Sequence, residues 1–147
     1  MFWARMREIG TGKISRRILL ADNNESVQRV VRSVAEKRGH QLVQSTTGAS
    51  TLILAIETQP DLIVLDLAFP DADGRDVLRQ LKTHPQTSSI PVVVWSGRTG
   101  HDSDSRISLD LGAEDYVEKD DAHLLLLKLE RVLLRLDRGD AAPNSLK

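Results

Sequence analysis

Apolar positions along the chain fall into short runs that alternate with helical patterns. Ile18-Leu19-Leu20-Ala21 is a run of strand length that stops abruptly at the polar Asp22-Asn23-Asn24. From Glu25 onward, Val27, Val30, Val31, Val34 and Ala35 share one helix face, and Gly39 suits a C-terminal cap. Gln41 to Ser45 predicts a short second strand, and Ala49, Leu52, Ile53 and Ile56 a helix that stops before Pro60. Leu62-Ile63-Val64-Leu65 is apolar on both faces, as a central parallel strand is, and ends at Asp66. The turn-rich Phe69-Pro70-Asp71-Ala72-Asp73-Gly74 leads to a helix marked by Val77, Leu78 and Leu81 that fades at His84-Pro85. Ile90 to Trp95 reads as the fourth strand, with Pro91 at its entry, and ends at Ser96-Gly97. A helix from Asp102 to Leu111 closed by Gly112, a mixed strand Asp115 to Glu118 ending at Lys119, and a helix from Asp121 to Leu136 complete the series.

Five strands, each followed by a helix, with central strands apolar on both sides, require a parallel sheet covered on both faces. The expected fold is a doubly wound α/β sandwich of one domain, residues 16–137, between an N-terminal extension, 1–15, and a C-terminal tail, 138–147. Both flanks lack periodicity and read as loosely ordered. The last helix carries Leu124 through Leu127, then Leu129, Val132, Leu133, Leu134 and Leu136. That is more apolar surface than one face needs, read either as a partner surface or as a deeper local core.

Twenty basic residues against twenty-one acidic ones leave a net charge of -1, so no global field points to nucleic acid or an anionic membrane. Arg5, Arg7, Lys13, Arg16 and Arg17 cluster near the start, but no recognised DNA-binding element accompanies them. With no cysteine, a disulfide framework, a thiolate metal site and a cysteine nucleophile are excluded. The absence of a signal-peptide pattern and of a membrane-length apolar run makes the cytoplasm the expected compartment. His40, His84, His101 and His123 show no metal-ligand spacing and are read as surface residues.

In open parallel α/β sheets the functional crevice lies beyond the carboxyl ends of the strands, where strand order reverses. Asp22 and Asn23 follow the first strand, Asp66 the third, Ser96 the fourth and Lys119 the fifth. Carboxylates and a carbonyl oxygen suit the hard cation Mg²⁺. An aspartate can act as nucleophile toward phosphorus, while lysine and serine donate charge and hydrogen bonds to phosphoryl oxygens.

These motifs, in this order, resemble a response-regulator receiver domain over about Arg17 to Leu136. Ile18 to Asn23 resembles the strand-one acidic pair, Pro60 to Asp66 the phosphoacceptor strand, and Pro70 to Gly74 the turn that follows. Pro91 to Gly97 resembles the Thr/Ser strand, and Gly112 to Lys119 the aromatic-and-lysine strand. The resemblance implies a flavodoxin-like (βα)5 sheet with strand order 2-1-3-4-5. It implies phosphorylation of Asp66 by a sensor histidine kinase or a phosphotransfer protein, and Mg²⁺ held by Asp22, Asn23, Asp66 and the backbone carbonyl of Ala68. Ser96 and Lys119 would hold the phosphoryl group. Ser96 and Tyr116 would act as the switch that reshapes the face of helix four, strand five and helix five. It further implies a stand-alone regulator that contacts a downstream protein, with a homodimer possible, and no enzymatic turnover beyond self-phosphorylation from small donors and self-dephosphorylation.

Two positions depart from the family pattern. Asn23 stands where a second acid is usual, read either as a weak metal ligand or as the cap of helix one, and Asp120 stands where proline is usual. Asn23 keeps open an alternative, a pseudo-receiver that works as an interaction module without phosphate. A true enzyme on this fold is disfavoured, since Asp66-Leu67-Ala68 lacks a second acid at two-residue spacing and no Gly-rich phosphate loop follows strand one.

Overall fold

The computed structural model describes residues 15–97, 102–118 and 122–141. Five parallel strands, β1 (Arg17–Ala21), β2 (Gln41–Ser45), β3 (Leu62–Leu65), β4 (Val92–Ser96) and β5 (Asp115–Glu118), form one sheet in the order β2-β1-β3-β4-β5. The helices are α1 (Glu25–Lys37), α2 (Gly48–Thr58), α3 (Gly74–Thr83), α4 (Asp102–Asp110) and α5 (Ala122–Arg138). This is the doubly wound α/β fold with the strand order that the resemblance implies.

Alternation along each strand builds two cores. Ile18, Leu20, Leu62, Val64, Val93 and Trp95 point to the α1 and α5 side, where they meet Val27, Val31, Leu125 and Leu129. Leu19, Ala21, Ile63, Leu65, Val92 and Val94 point to the opposite side and meet Ala55, Val77, Leu78 and Leu81 of α2 and α3. Two-sided burial is why β1, β3 and β4 read as unbroken apolar runs rather than alternating ones. The leucine surplus of α5 is divided: Leu125, Leu129, Val132 and Leu133 enter the core, whereas Leu127 and Leu134 are 51% and 50% exposed on the outward side.

Several boundaries differ from the sequence expectation, each for a physical reason. The α1 N-cap is Asn24, not Asn23: its side chain accepts from the Ser26 and Val27 N–H groups. Gly39, by contrast, sits as expected, in the left-handed turn after α1 at φ +71°. β4 begins at Val92 because Pro91 has no N–H to contribute to the ladder. α5 continues two residues beyond Leu136, through Asp137 to Arg138, so the first residue assigned to the tail belongs to the helix. There the Asp140 N–H bonds to the Arg135 carbonyl, and Gly139 takes φ +74°. Ser15, assigned to the extension, is tied down, its hydroxyl donating to the Gly39 carbonyl at 2.9 Å. His40 is half-buried, not a surface residue, and its Nδ1 accepts the Arg16 N–H at 2.9 Å. The expectations for residues 1–14 and for His101 lie outside the described residues. No helix among the described residues is long and apolar enough to cross a membrane.

Candidate functional site

The register of the sheet brings Asp22 and Asp66 together. Ala21 pairs with Leu65, and the Asp66 N–H donates to the Ala21 carbonyl at 2.9 Å, so the two acids leave adjacent strand ends side by side. Both are buried, Asp22 fully and Asp66 to within 2%. Ser96 closes β4 on the other side of β3 and is 1% exposed. It pairs with Glu118 within the sheet.

Each carboxylate is oriented by its own backbone. Asp22 Oδ1 accepts the Asn24 N–H at 2.7 Å, and Asp66 Oδ1 accepts the Ala68 N–H at 3.1 Å. Gln28, one turn into α1, donates from Nε2 to the Asp22 carbonyl at 3.1 Å. The loop after β3 is closed by a single bridge between Ala68 and Asp73, and the Gly74 N–H donates to the Leu67 carbonyl at 2.9 Å. Glycine is required at that point. A Cβ on Gly74 would lie 2.3 Å from Leu67 Cα and 2.7 Å from the Asp66 carbonyl oxygen.

The donor set fits a small hard cation. Two buried carboxylates at adjacent strand ends supply charged oxygen donors of the kind a small divalent ion takes. Among the described residues nothing donates to the Ala68 carbonyl, which stands exposed at the same loop. Asn23 is exposed and follows directly on Asp22, so a third oxygen there would be neutral. Among the described residues no group of three or more His, Cys, Asp or Glu is gathered as a metal cluster.

Tyr116 lies on β5 opposite Val94 and packs against the α2/α3 core, on the sheet face that also holds Val94, two residues before Ser96. Lys119 and Asp120 lie outside the described residues. Asp22, Asp66 and Ser96 are therefore brought to one edge as the strand ends predicted, with Ala68 beside them and Asn23 at the rim. Gln28 escaped the sequence reading, which took Asp71 and Gly74 as turn residues only. For Gly74 a signal was available, a glycine opening a helix immediately after an acid-rich turn.

Comparison with known proteins agrees with this geometry. The family model described as the response regulator receiver domain matches residues 18–130. The KDP operon transcriptional regulatory protein KdpE of Escherichia coli (strain K12) is 35% identical over 88% of this chain and 56% of its own length. Protein PilH of Pseudomonas aeruginosa is 30% identical over 80% of this chain and 97% of its own. The crystal structure of the Mn²⁺-bound form of response regulator Rcp1 superposes with a TM-score of 0.67 at 28% identity, over 78% of this chain and 91% of that one. The chain spans about half the length of the first curated relatives it matches. By the family match, the fold and the acidic strand ends together, the chain belongs to the response regulator receiver domain family of two-component signalling.

Proposed function

We propose that Asp66 is the phosphoacceptor of this domain and that phosphorylation uses Mg²⁺ held by Asp22, Asp66, the Ala68 carbonyl and, weakly, Asn23. The observation that carries this reading is the pairing of two buried carboxylates at registered strand ends, with the Ser96 hydroxyl at the end of the next strand. When bound, the ion neutralises charge on the incoming phosphoryl oxygens. An Asp66 carboxylate oxygen attacks phosphorus, the bond from phosphorus to the donor breaks, and an acyl phosphate remains. The Ala68 N–H, which holds Asp66 Oδ1 in the structure, keeps the carboxylate aimed outward from β3. Ser96 and Lys119 then hold the phosphoryl oxygens.

The donor is a sensor histidine kinase or a phosphotransfer protein. Movement of Ser96 toward the phosphoryl group lets Tyr116 turn inward, which shifts the population of the α4, β5 and α5 face toward its signalling form. The exposed Ile107 and Leu127 supply apolar area on that face for a downstream protein or a second copy. The domain turns over nothing beyond its own phosphoryl group.

Asn23 supports a second reading, an interaction module that works without phosphate, because it removes one of the negative charges that would hold the ion. Intact-mass spectrometry after incubation with acetyl phosphate and Mg²⁺ separates the two. The regulator reading predicts a single phosphoryl adduct that is lost in Asp66→Asn. No adduct from small donors or from any histidine kinase overturns it.

A further inference from the structure

The turn after β3, Phe69-Pro70-Asp71-Ala72-Asp73-Gly74, does more than reverse the chain. Asp71 reaches sideways to α2: its Oδ1 accepts the Gly48 N–H at 2.8 Å and its Oδ2 the Ala49 N–H at 3.1 Å. These are first-turn donors with no acceptor inside the helix. The helix's own cap, Thr47, takes only the Ser50 N–H. Two donors of α2 are thus satisfied from 23 and 22 residues away in sequence. The close approach depends on a missing side chain, since a Cβ on Gly48 would lie 2.7 Å from Ala72 Cβ. At the other end of the loop Gly74 is pressed against the backbone of Asp66 and Leu67. The segment bearing the Ala68 carbonyl is therefore pinned on one side to α3 and on the other to α2.

We infer that Asp71 is a positioning residue for the phosphoacceptor site: by latching the 67–73 loop to the first turn of α2, it holds the Ala68 carbonyl where the metal ion is bound. This rests on the reading of Asp66, Asp22 and Ala68 as the metal site. Asp71 is not a ligand, because both its oxygens are committed to α2. Those same hydrogen bonds, the Gly48 one foremost, hold its carboxyl below the usual range, so the latch is ionised near neutral pH. Pro70 presets the backbone just before it.

The test compares the full chain with Asp71→Ala, Asp71→Asn and Thr47→Ala, reading Mg²⁺ affinity by calorimetric titration and backbone hydrogen exchange over 67–73 by mass spectrometry. Asp71→Ala is expected to weaken Mg²⁺ binding about fivefold, the scale of one lost cap interaction, and to speed exchange in the loop. Asp71→Asn, which keeps one acceptor oxygen, restores part of both. Thr47→Ala strips the same helix of its other cap and leaves Mg²⁺ affinity within about twofold, since it leaves Asp71 and the loop untouched. Wild-type affinity in Asp71→Ala overturns the latch, as does an equal loss in Thr47→Ala, which would mean that only helix stability is at work. A wild-type chain that binds no Mg²⁺ overturns the metal-site reading and the latch with it; unchanged affinity in Asp71→Ala overturns the latch alone.

Discussion

The two ends of the sheet handle buried charge in opposite ways. At the amino end, opposite charges are paired, most of them partly buried. Arg16 lies between Asp61 at 3.6 Å and Asp137 at 3.1 Å, tying the entry of β1 to the loop before β3 and to the end of α5. Arg135 grips Glu114 through two hydrogen bonds, at 2.6 and 3.2 Å, and adds a third to the Asp140 carbonyl. Lys82, whose amine burial pushes below its ordinary range, donates to the Ile90 carbonyl at 2.9 Å. At the carboxyl end, like charges are buried together, Asp22 beside Asp66. Paired charges hold the ends of elements in place at no electrostatic risk. Two buried acids brought to one edge are oxygen donors of the kind a hard cation takes, and mark that edge as the place for a ligand.

The largest effect that probes this contrast comes from breaking a pair at the amino end. Arg135→Met leaves the largely buried Glu114 without its two hydrogen bonds from arginine and is expected to lower unfolding stability by roughly 2–3 kcal/mol, read from urea denaturation. Mg²⁺ affinity should be unchanged; a matching loss of metal binding would show that the two ends are not separate. Next comes a change at the carboxyl end. Asn23→Asp adds a third acid at the rim, and a unit charge about 4 Å from a divalent ion is worth roughly 2 kcal/mol in water and about 8 at an effective dielectric of 20, before desolvation. Mg²⁺ affinity should rise at least about tenfold, while stability without metal falls. Equal affinities by titration would remove Asn23 from the site.

The smallest effect is a pH dependence at the amino end. Burial, first among its influences, lowers the pKa of His40 from its ordinary value, with Asp137 opposing and Arg16 and Arg38 reinforcing the shift. Its neutral Nδ1 accepts the Arg16 N–H. A base whose pKa is lowered by folding stabilises the fold most fully above its unfolded value, about 6.5, and that contribution declines as pH falls below it. Urea midpoints compared at pH 7.5 and 5.5 should therefore drop less in His40→Gln than in the wild type. Identical drops would place the sensitivity elsewhere.

Much of this was legible in the chain. β2, β3 and β5 begin and end where the sequence places them, and β3 coincides with its apolar run because it is buried on both faces. Asp22, Asp66 and Ser96, at the ends of β1, β3 and β4, were visible because an abrupt polar stop closes each apolar run. Where reading failed, the deciding partner was remote or one residue off. Asn23 and Asn24 are chemically identical in sequence, and only the entry angle of α1 selects Asn24 as the cap. The last helix was expected to stop at Leu136 because the apolar rhythm ends there, yet it runs on through Asp137, which Arg16 holds from 121 residues away. Asp71 looked like a turn residue because its acceptor role is toward a helix that precedes it.

Strand and helix content, the two-sided burial of the central strands and the placing of reactive groups at strand ends are short-range properties, written in period and termination and readable without any contact. Which carboxylates become neighbours, which loop carbonyl stands beside them and which helix that loop is anchored to depend on crossover order and close backbone approach. Those were decided only when β1 and β3 paired and glycines 48 and 74 let the chain close around Asp66.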